Sequence, residues 1–337
     1  MKQATLRLVR DLTSDLRGRR LSSPSVTYAG EVIFLAMPPG PPTSREGYAI
    51  RADHPQGPGR GFFPWALFPE QVRSESFSGD LVITSPTEWL EVPLRDVNLW
   101  EPRLQRLSAN ELLLIDEGGG LGNGLNGRVY TPVGTLSRSF EVGWVNRACV
   151  DERRQIWVTF HDESGGGPGG SALACLDDQG NKLWGFNENR ADAEDVWMFY
   201  ALNVGREVVW ACGYTEFEVV RIKNRTVDRW KQDIGGVDEL AVSEPHILML
   251  GAYHQGDPRF WLGRLGRSEI DDIEEVRVTL PDGRRLRDLP HPLEKYGVPP
   301  AQRHREYGFR ILGQHGALHV FAEDCWYRLA IEDVAVE

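Results

Sequence analysis

The sequence predicts an all-β fold: a β-propeller of six four-stranded antiparallel blades, with seven blades as the alternative count. Three observations carry this expectation. Short apolar runs bounded by Gly, Asp and Asn recur along the chain, whereas amphipathic helical patterns are scarce. The runs fall into similarly ordered groups with a period of about 40–55 residues. Eleven Trp and thirteen Phe supply core volume, while 36 Gly and 21 Pro supply turns. A four-stranded unit cannot shield both of its faces, and radial stacking of such units does.

Taken in order, the N-terminal LRLV reads as a strand that completes the last blade and so closes the ring. Residues 22–100 hold candidate strands at SVTYAG, EVIFLAM, GYAI, FFPWALF, DLVITS and EWLEVPL, too many for one blade and too few for two. The prolines from Pro38 to Pro42 and the HPQGPGRG run predict long excursions there. A unit follows with ELLLIDEGGG from Glu111, GRVY ending at Tyr130, and LSRSFEV. The clearest copy runs from Ala148 to Phe186: ACV, a turn at Asp151–Arg154, IWVTF, a Gly-rich loop, SALACL, DDQGN and KLWGF. The next copy takes Phe199–Val204, Glu207–Cys212, Phe217–Ile222 and Thr226–Trp230. Looser copies cover Ile247–Leu250, Phe260–Leu265 and Val276–Leu280, then Tyr307–Leu312, Leu318–Phe321 and Trp326–Leu329. Between them, residues 281–307 break the repeat and read as an extended inter-blade loop of mixed charge. The whole chain, 1–337, reads as a single propeller domain.

The stretch ACLDDQGNKLWGF resembles the strand, acidic turn, glycine and Trp-strand signature of quinoprotein-like (PQQ-like) propellers. The strand ends FHDESG and IDEGG resemble those of bacterial propeller proteins of unassigned role. The resemblance spans about half of the chain and implies the fold; the quinone cofactor is not carried over, because propellers host many functions.

Composition narrows the function classes. A net charge of −11 repels nucleic-acid backbones, and no Lys/Arg block of recognition length is present, so a nucleic-acid partner is not expected. The first residues lack the apolar run of a secretory signal, and no window approaches a membrane-spanning length. A cytoplasmic location is expected. Cys149, Cys175, Cys212 and Cys325 are too far apart for the short-range pairs of a zinc site and read as buried, reduced thiols. The runs GGGLGNGLNG and GGGPGG lack the Lys-Ser/Thr of a phosphate loop. Trp157, Trp184, Trp210 and Trp230 read as blade packing, and Trp197 and Tyr200 as an aromatic rim.

In blades of this type, second-to-third-strand loops share one face with the blade-to-blade loops. That face is expected to collect Asp116 and Glu117; His161, Asp162 and Glu163; Tyr214 and Glu216; Tyr253, His254 and Asp257; and Glu323 and Asp324. Asp192, Glu194, Asp195, Asp238 and Glu239 join them from inter-blade loops. Two functions fit. One is a binding or scaffold propeller that engages a protein or a small cationic ligand through this acidic face. The other is a hydrolase or lyase acting on a small molecule through His161, Glu163, Glu216 and His254. Propeller lactonases hold a central divalent ion with acidic and Asn side chains, and this chain has Glu117, Asn123, Asn126, Glu163 and Glu216 in the same general loops, without a residue-by-residue match to their motif. Metal ligation by Glu117, Glu163 and Glu216 would favour calcium or magnesium; no other cofactor is expected.

Overall fold

Six sheets follow one another along the chain, four built wholly from consecutive antiparallel strands and two completed by strands from the chain's beginning. The computed structural model describes residues 1–39, 77–85, 87–97, 99, 102–116, 124–161, 167–168, 170–186, 196–214, 216–251, 258–290 and 309–335. Strands β1 (Lys2–Thr5) and β2 (Arg7–Asp11) and the short helix α1 (Thr13–Leu16) precede blade 1, which comprises β3 (Arg20–Val26), β4 (Val32–Met37), β5 (Phe77–Thr84) and β6 (Trp89–Val97). Blade 2 comprises β7 (Pro102–Ser108), β8 (Glu111–Asp116), β9 (Gly127–Tyr130) and β10 (Leu136–Phe140). Blade 3 comprises β11 (Val145–Val150), β12 (Ile156–Phe160), β13 (Leu173–Leu176) and β14 (Lys182–Gly185). Blade 4 comprises β15 (Met198–Val204), β16 (Val208–Tyr214), β17 (Val219–Lys223) and β18 (Thr226–Trp230). Blade 5 comprises β19 (Glu239–Ser243), β20 (His246–Gly251), β21 (Arg259–Leu265) and β22 (Ile270–Thr279). Blade 6 comprises β23 (Phe309–Gln314), β24 (Ala317–Ala322) and β25 (Cys325–Ala330), followed by α2 (Ile331–Val334).

The first strands of neighbouring blades touch in succession: β3 with β7, β7 with β11, β11 with β15, β15 with β19, β19 with β23, and β23 back to β3. That last contact closes a six-bladed propeller. The chain's beginning reinforces the seam. Strand β2 pairs antiparallel with β25 as the fourth strand of blade 6, and β1 runs parallel to β22 as a fifth strand of blade 5. Leu6, between them, is buried in the core shared by blades 5 and 6. Leu12, just before α1, and Leu16 within it fill the gap between blade 6 and blade 1, against Phe34, Val82 and Phe321.

Blade stacking explains the continuous apolar run IWVTF. Both faces of β12 are covered, one by blade 2 and one by blade 4, so every residue of the strand is buried rather than every second one. Trp157 packs on Trp184 at 5.9 Å between ring centres, and Trp210 on Trp230 at 5.5 Å. Trp157, Trp210 and Trp230 are buried and Trp184 is half-buried.

Two sequence expectations change in detail. The candidate strands of residues 22–100 yield one blade, with EVIFLAM, DLVITS and EWLEVPL as β4, β5 and β6; GYAI and FFPWALF lie outside the described residues. Strand β7, PRLQRLS, precedes the unit read from Glu111; its Pro, Arg and Gln residues interrupt the apolar pattern because this strand borders the channel. The segment 281–307 falls between β22 and β23, with a short 3-10 turn at Leu286–Asp288 among its described part.

Candidate functional site: the central channel and its two mouths

The two faces of the ring carry very different connections. First-to-second-strand links occupy only 27–31, 109–110, 151–155, 205–207, 244–245 and 315–316, and third-to-fourth-strand links on the same face only 85–88, 131–135, 177–181, 224–225 and 266–269. On the opposite face, second-to-third-strand and blade-to-blade links include short ones at 98–101, 141–144, 215–218, 252–258 and 323–324 and longer ones at 38–76, 117–126, 161–172, 186–197, 231–238 and 280–308. We call these the turn face and the loop face.

On the turn face, short connections close on their own side chains. Asp151 Oδ1 accepts the backbone N–H groups of Arg153 and Gln155, at 2.9 and 2.8 Å, and its Oδ2 accepts the Trp157 indole N–H at 3.1 Å. Asp177 does the same for Gln179 and Asn181, at 2.9 and 2.8 Å, with Gly180 supplying the left-handed position at φ 85°. Burial pushes the Asp177 carboxyl up, but hydrogen bonds from Asn181, Gln179 and Gly180 outweigh it and hold its pKa below the usual value.

The channel mouth on this face is spanned by side chains. The Tyr28 hydroxyl of blade 1 reaches Glu152 of blade 3 at 3.4 Å, and Arg206 of blade 4 pairs with the same carboxylate at 3.2 Å. The His315 ring of blade 6 meets the Tyr28 carbonyl at 3.0 Å. Just inside, Asn203 donates to the carbonyls of Leu240 and His315, both at 2.9 Å, tying blade 4 to blades 5 and 6.

The interior is a small cavity of about 30 Å³, walled by the first strands of all six blades. Its charged lining is Arg103 from β7, Arg147 from β11, Glu239 from β19 and Arg310 from β23. Glu239 is 4% exposed. Its Oε1 accepts from Arg147 Nε at 3.2 Å and its Oε2 from the Gly313 N–H at 2.9 Å, so one carboxylate links blades 3, 5 and 6. Gly313 is required here: a Cβ would stand 2.0 Å from the Leu240 carbonyl oxygen. Burial raises the Glu239 pKa, opposed by the Arg147 charge and the Gly313 N–H. Arg103 and Arg147 also donate to the Asn146 carbonyl, at 3.3 and 3.2 Å. Cys149 lies in the same wall, and burial raises its pKa to about 12, which keeps it a thiol rather than a nucleophile.

Around the loop face, Asp116 ends β8, His161 directly follows β12, Glu216 sits between β16 and β17, and Glu323 and Asp324 join β24 to β25. Glu117, Asp162, Glu163, Tyr253, His254, Asp257, Asp192, Glu194 and Asp195 lie outside the described residues. Of the proposed catalytic set, His161 belongs to blade 3 and Glu216 to blade 4. The His161 ring packs on Trp144 at 5.2 Å between ring centres, and the His161 backbone N–H donates to the Trp144 carbonyl at 3.1 Å. Glu216 is exposed. Glu323 is held by Arg284 at 2.7 and 2.9 Å. Asn126, one of the positions indicated for a divalent ion, instead fastens its loop: its amide donates to the Asp116 and Gly143 carbonyls while its oxygen accepts the Val142 N–H at 2.9 Å. Among the described residues, no group of three or more His, Cys, Asp or Glu could hold a metal ion.

Glu239 departs from its expected place. It is the first residue of β19 and is buried in the channel, not carried on an inter-blade loop. The channel arginines were not anticipated either; a repeated Arg near the start of first strands, as at Arg103 and Arg310, was the available signal. Trp197, expected on an aromatic rim, is 62% exposed on the loop face. Nearby, Tyr200, Tyr214 and Phe217 form a half-buried cluster with ring centres 5.5–6.4 Å apart.

No family model and no curated protein matches the chain. Among solved structures, the nidogen/laminin complex is similar at 8% identity over 76% of this chain and 80% of that one, with a TM-score of 0.45. A Xanthomonas campestris gluconolactonase is similar at 14% identity, over 69% and 90% of the respective chains, with a TM-score of 0.38. YCF48 bound to D1 peptide is similar at 11% identity, over 75% and 72%, with a TM-score of 0.41. At these identities the likeness concerns fold alone.

Proposed function

We propose that this protein is a binding propeller that engages a protein partner through its loop face and favours a segment carrying Lys and Arg. The observation that carries this reading is the asymmetry of the ring. Long connections gather on one face, while the other is closed by short, self-satisfied turns and a bridged channel mouth. Binding residues sit preferentially on loops held by a rigid scaffold, and the longer connections here leave the blades on one side.

The preference for a basic segment has two supports. The chain carries a net charge of −11, which attracts cationic partners and opposes polyanions. On blade 4, exposed Trp197 and Glu216 flank the Tyr200, Tyr214 and Phe217 cluster. Aromatic faces beside a carboxylate suit a guanidinium or ammonium group, and Trp and Tyr are common anchors of interfaces.

Fluorescence anisotropy with labelled lysine-rich, acidic and neutral peptides tests this reading. The lysine-rich peptide is expected to bind with a salt-dependent affinity. Glu216→Lys and Trp197→Ala should each weaken it by about tenfold, equivalent to about 1.4 kcal/mol. Glu207→Lys, on the turn face, should leave it unchanged. Equal binding of all three peptides, or equal loss from the Glu207 variant, contradicts the assignment.

A further inference from the structure

We propose that β1 is a self-association edge, along which two copies of this chain pair β1 against β1 across a twofold axis. Strand β1 is the fifth strand of blade 5, whereas the other blades have four, so it stands outward of the rim. Its inner edge is taken by β22, in a parallel pairing that ends with the Leu6 N–H donating to the Thr279 carbonyl at 2.8 Å. Backbone N–H and C=O groups alternate in direction along a strand, so Lys2 and Ala4 turn theirs to β22, as Leu6 does. Gln3 and Thr5 therefore turn theirs outward, and both residues are exposed.

An open edge is a template for another chain, and folds blunt it with bulges, proline or a cover. The other outer strands are blunted in these ways. Strands β2, β10 and β14 each carry a bulge, and β6 carries Pro93. The end of β18 is covered by blade 5: the Lys231 N–H donates to the Ser268 carbonyl at 3.0 Å, and the Ile270 N–H to the Lys231 carbonyl at 2.9 Å. Strand β1 keeps a regular register throughout, without bulge or proline.

The edge is complementary to itself, which selects a second copy as its occupant. With Ala4 opposite Ala4 of the second copy, Gln3 of each chain faces Thr5 of the other. Each such pair then exchanges both of its N–H···O=C bonds. Charge follows the same symmetry. Beside the start of β1, β22 carries Asp271, Asp272, Glu274 and Glu275, and exposed Arg7 lies past its end. Glu274 is paired with the Met1 ammonium at 2.7 Å and Glu275 with Arg259 at 3.0 Å, so exposed Asp271 and Asp272 keep that end negative. Antiparallel pairing sets the Arg7 end of one copy beside the acidic end of the other. It also brings Met1, 65% exposed, towards Leu8 of the second copy, 48% exposed. The edge is short and the net charge of −11 opposes association, so the dimer is weak and reversible. This edge lies on the outer rim and does not depend on the loop-face reading.

Sedimentation velocity of the full chain over a rising concentration series tests the proposal, and a reversible shift from monomer to dimer is expected. Thr5→Pro removes an outward donor and leaves the β22 pairing intact, so it should weaken association at least tenfold. Gln3→Lys combined with Thr5→Lys sets like charges opposite each other across the axis and should weaken it similarly. Gln3→Lys combined with Thr5→Glu sets opposite charges there and should match or exceed the unaltered chain. Both positions are exposed, and a thermal melt of each variant checks that the ring is intact. A chain that stays monomeric throughout the series overturns the proposal. So does a dimer that Thr5→Pro leaves unchanged, or equal association of the two charge combinations.

Discussion

On the turn face, Asp151 and Asp177 each hold their own connection through two backbone N–H groups, and Tyr28, Glu152, Arg206 and His315 bridge the channel mouth. On the loop face, the links at 38–76 and 280–308 run far beyond what strand pairing needs, and Trp197 and Glu216 project outward. The same six blades support both. The contrast teaches that one face ties neighbouring blades together through short turns and bridging side chains while the other carries the long connections, the arrangement on which the proposed binding role rests.

The largest expected effect lies in the packing that both faces share. Trp157→Ala should cost about 3–5 kcal/mol in urea unfolding, because the indole is buried between β11, β13 and the next blade. A surface-sized effect would mean that neither face stands on a rigid ring. Gly313→Ala comes next, at about 2–3 kcal/mol, since its methyl would drive β23 away from β19. A neutral result would remove the close approach on which the channel geometry depends. Asp151→Ala should cost about 1–2 kcal/mol, leaving the Trp157 indole N–H and two backbone donors without their acceptor. Should it prove silent, the turn face would not be self-held.

A smaller, more diagnostic effect separates the channel from the turn face by sign. The folded state raises the Glu239 pKa, through burial, so it binds that proton more tightly than the unfolded chain does. Stability therefore falls as pH rises from the unfolded carboxylate range, about 4, through the folded pKa. Glu239→Gln should flatten that decline. Asp177 behaves oppositely: its hydrogen bonds overcome burial and lower its folded pKa, giving stability that is lost as pH falls through that lowered value. Asp177→Asn should remove part of the acid-side loss. Melting curves across pH report both slopes, and equal slopes for the two variants would erase the distinction.

The sequence made the blades readable because their grammar is local. Asp-Asp-Gln-Gly-Asn at 177–181 specifies a turn through neighbouring side chains, and IWVTF declares a strand covered on both faces. The six-bladed count follows from such units. The channel was much less legible. Strand β7 carries Pro102, Arg103, Gln105 and Arg106, a pattern that reads as loop until the strand is seen to border a channel. Glu239 looked like a rim residue because Asp238 precedes it, yet the start of β19 turns it inward. Its partners Arg147 and Gly313 lie in other blades, and no local pattern encodes a meeting that only ring closure creates.

Hydrogen exchange of the full chain, with and without the lysine-rich peptide, tests the central claim most directly. The account predicts added protection in the loop-face segments around Trp197 and Glu216, with the turns at 151–155, 205–207 and 315–316 unchanged. Protection centred on those turns, with the loop face unaltered, would contradict it.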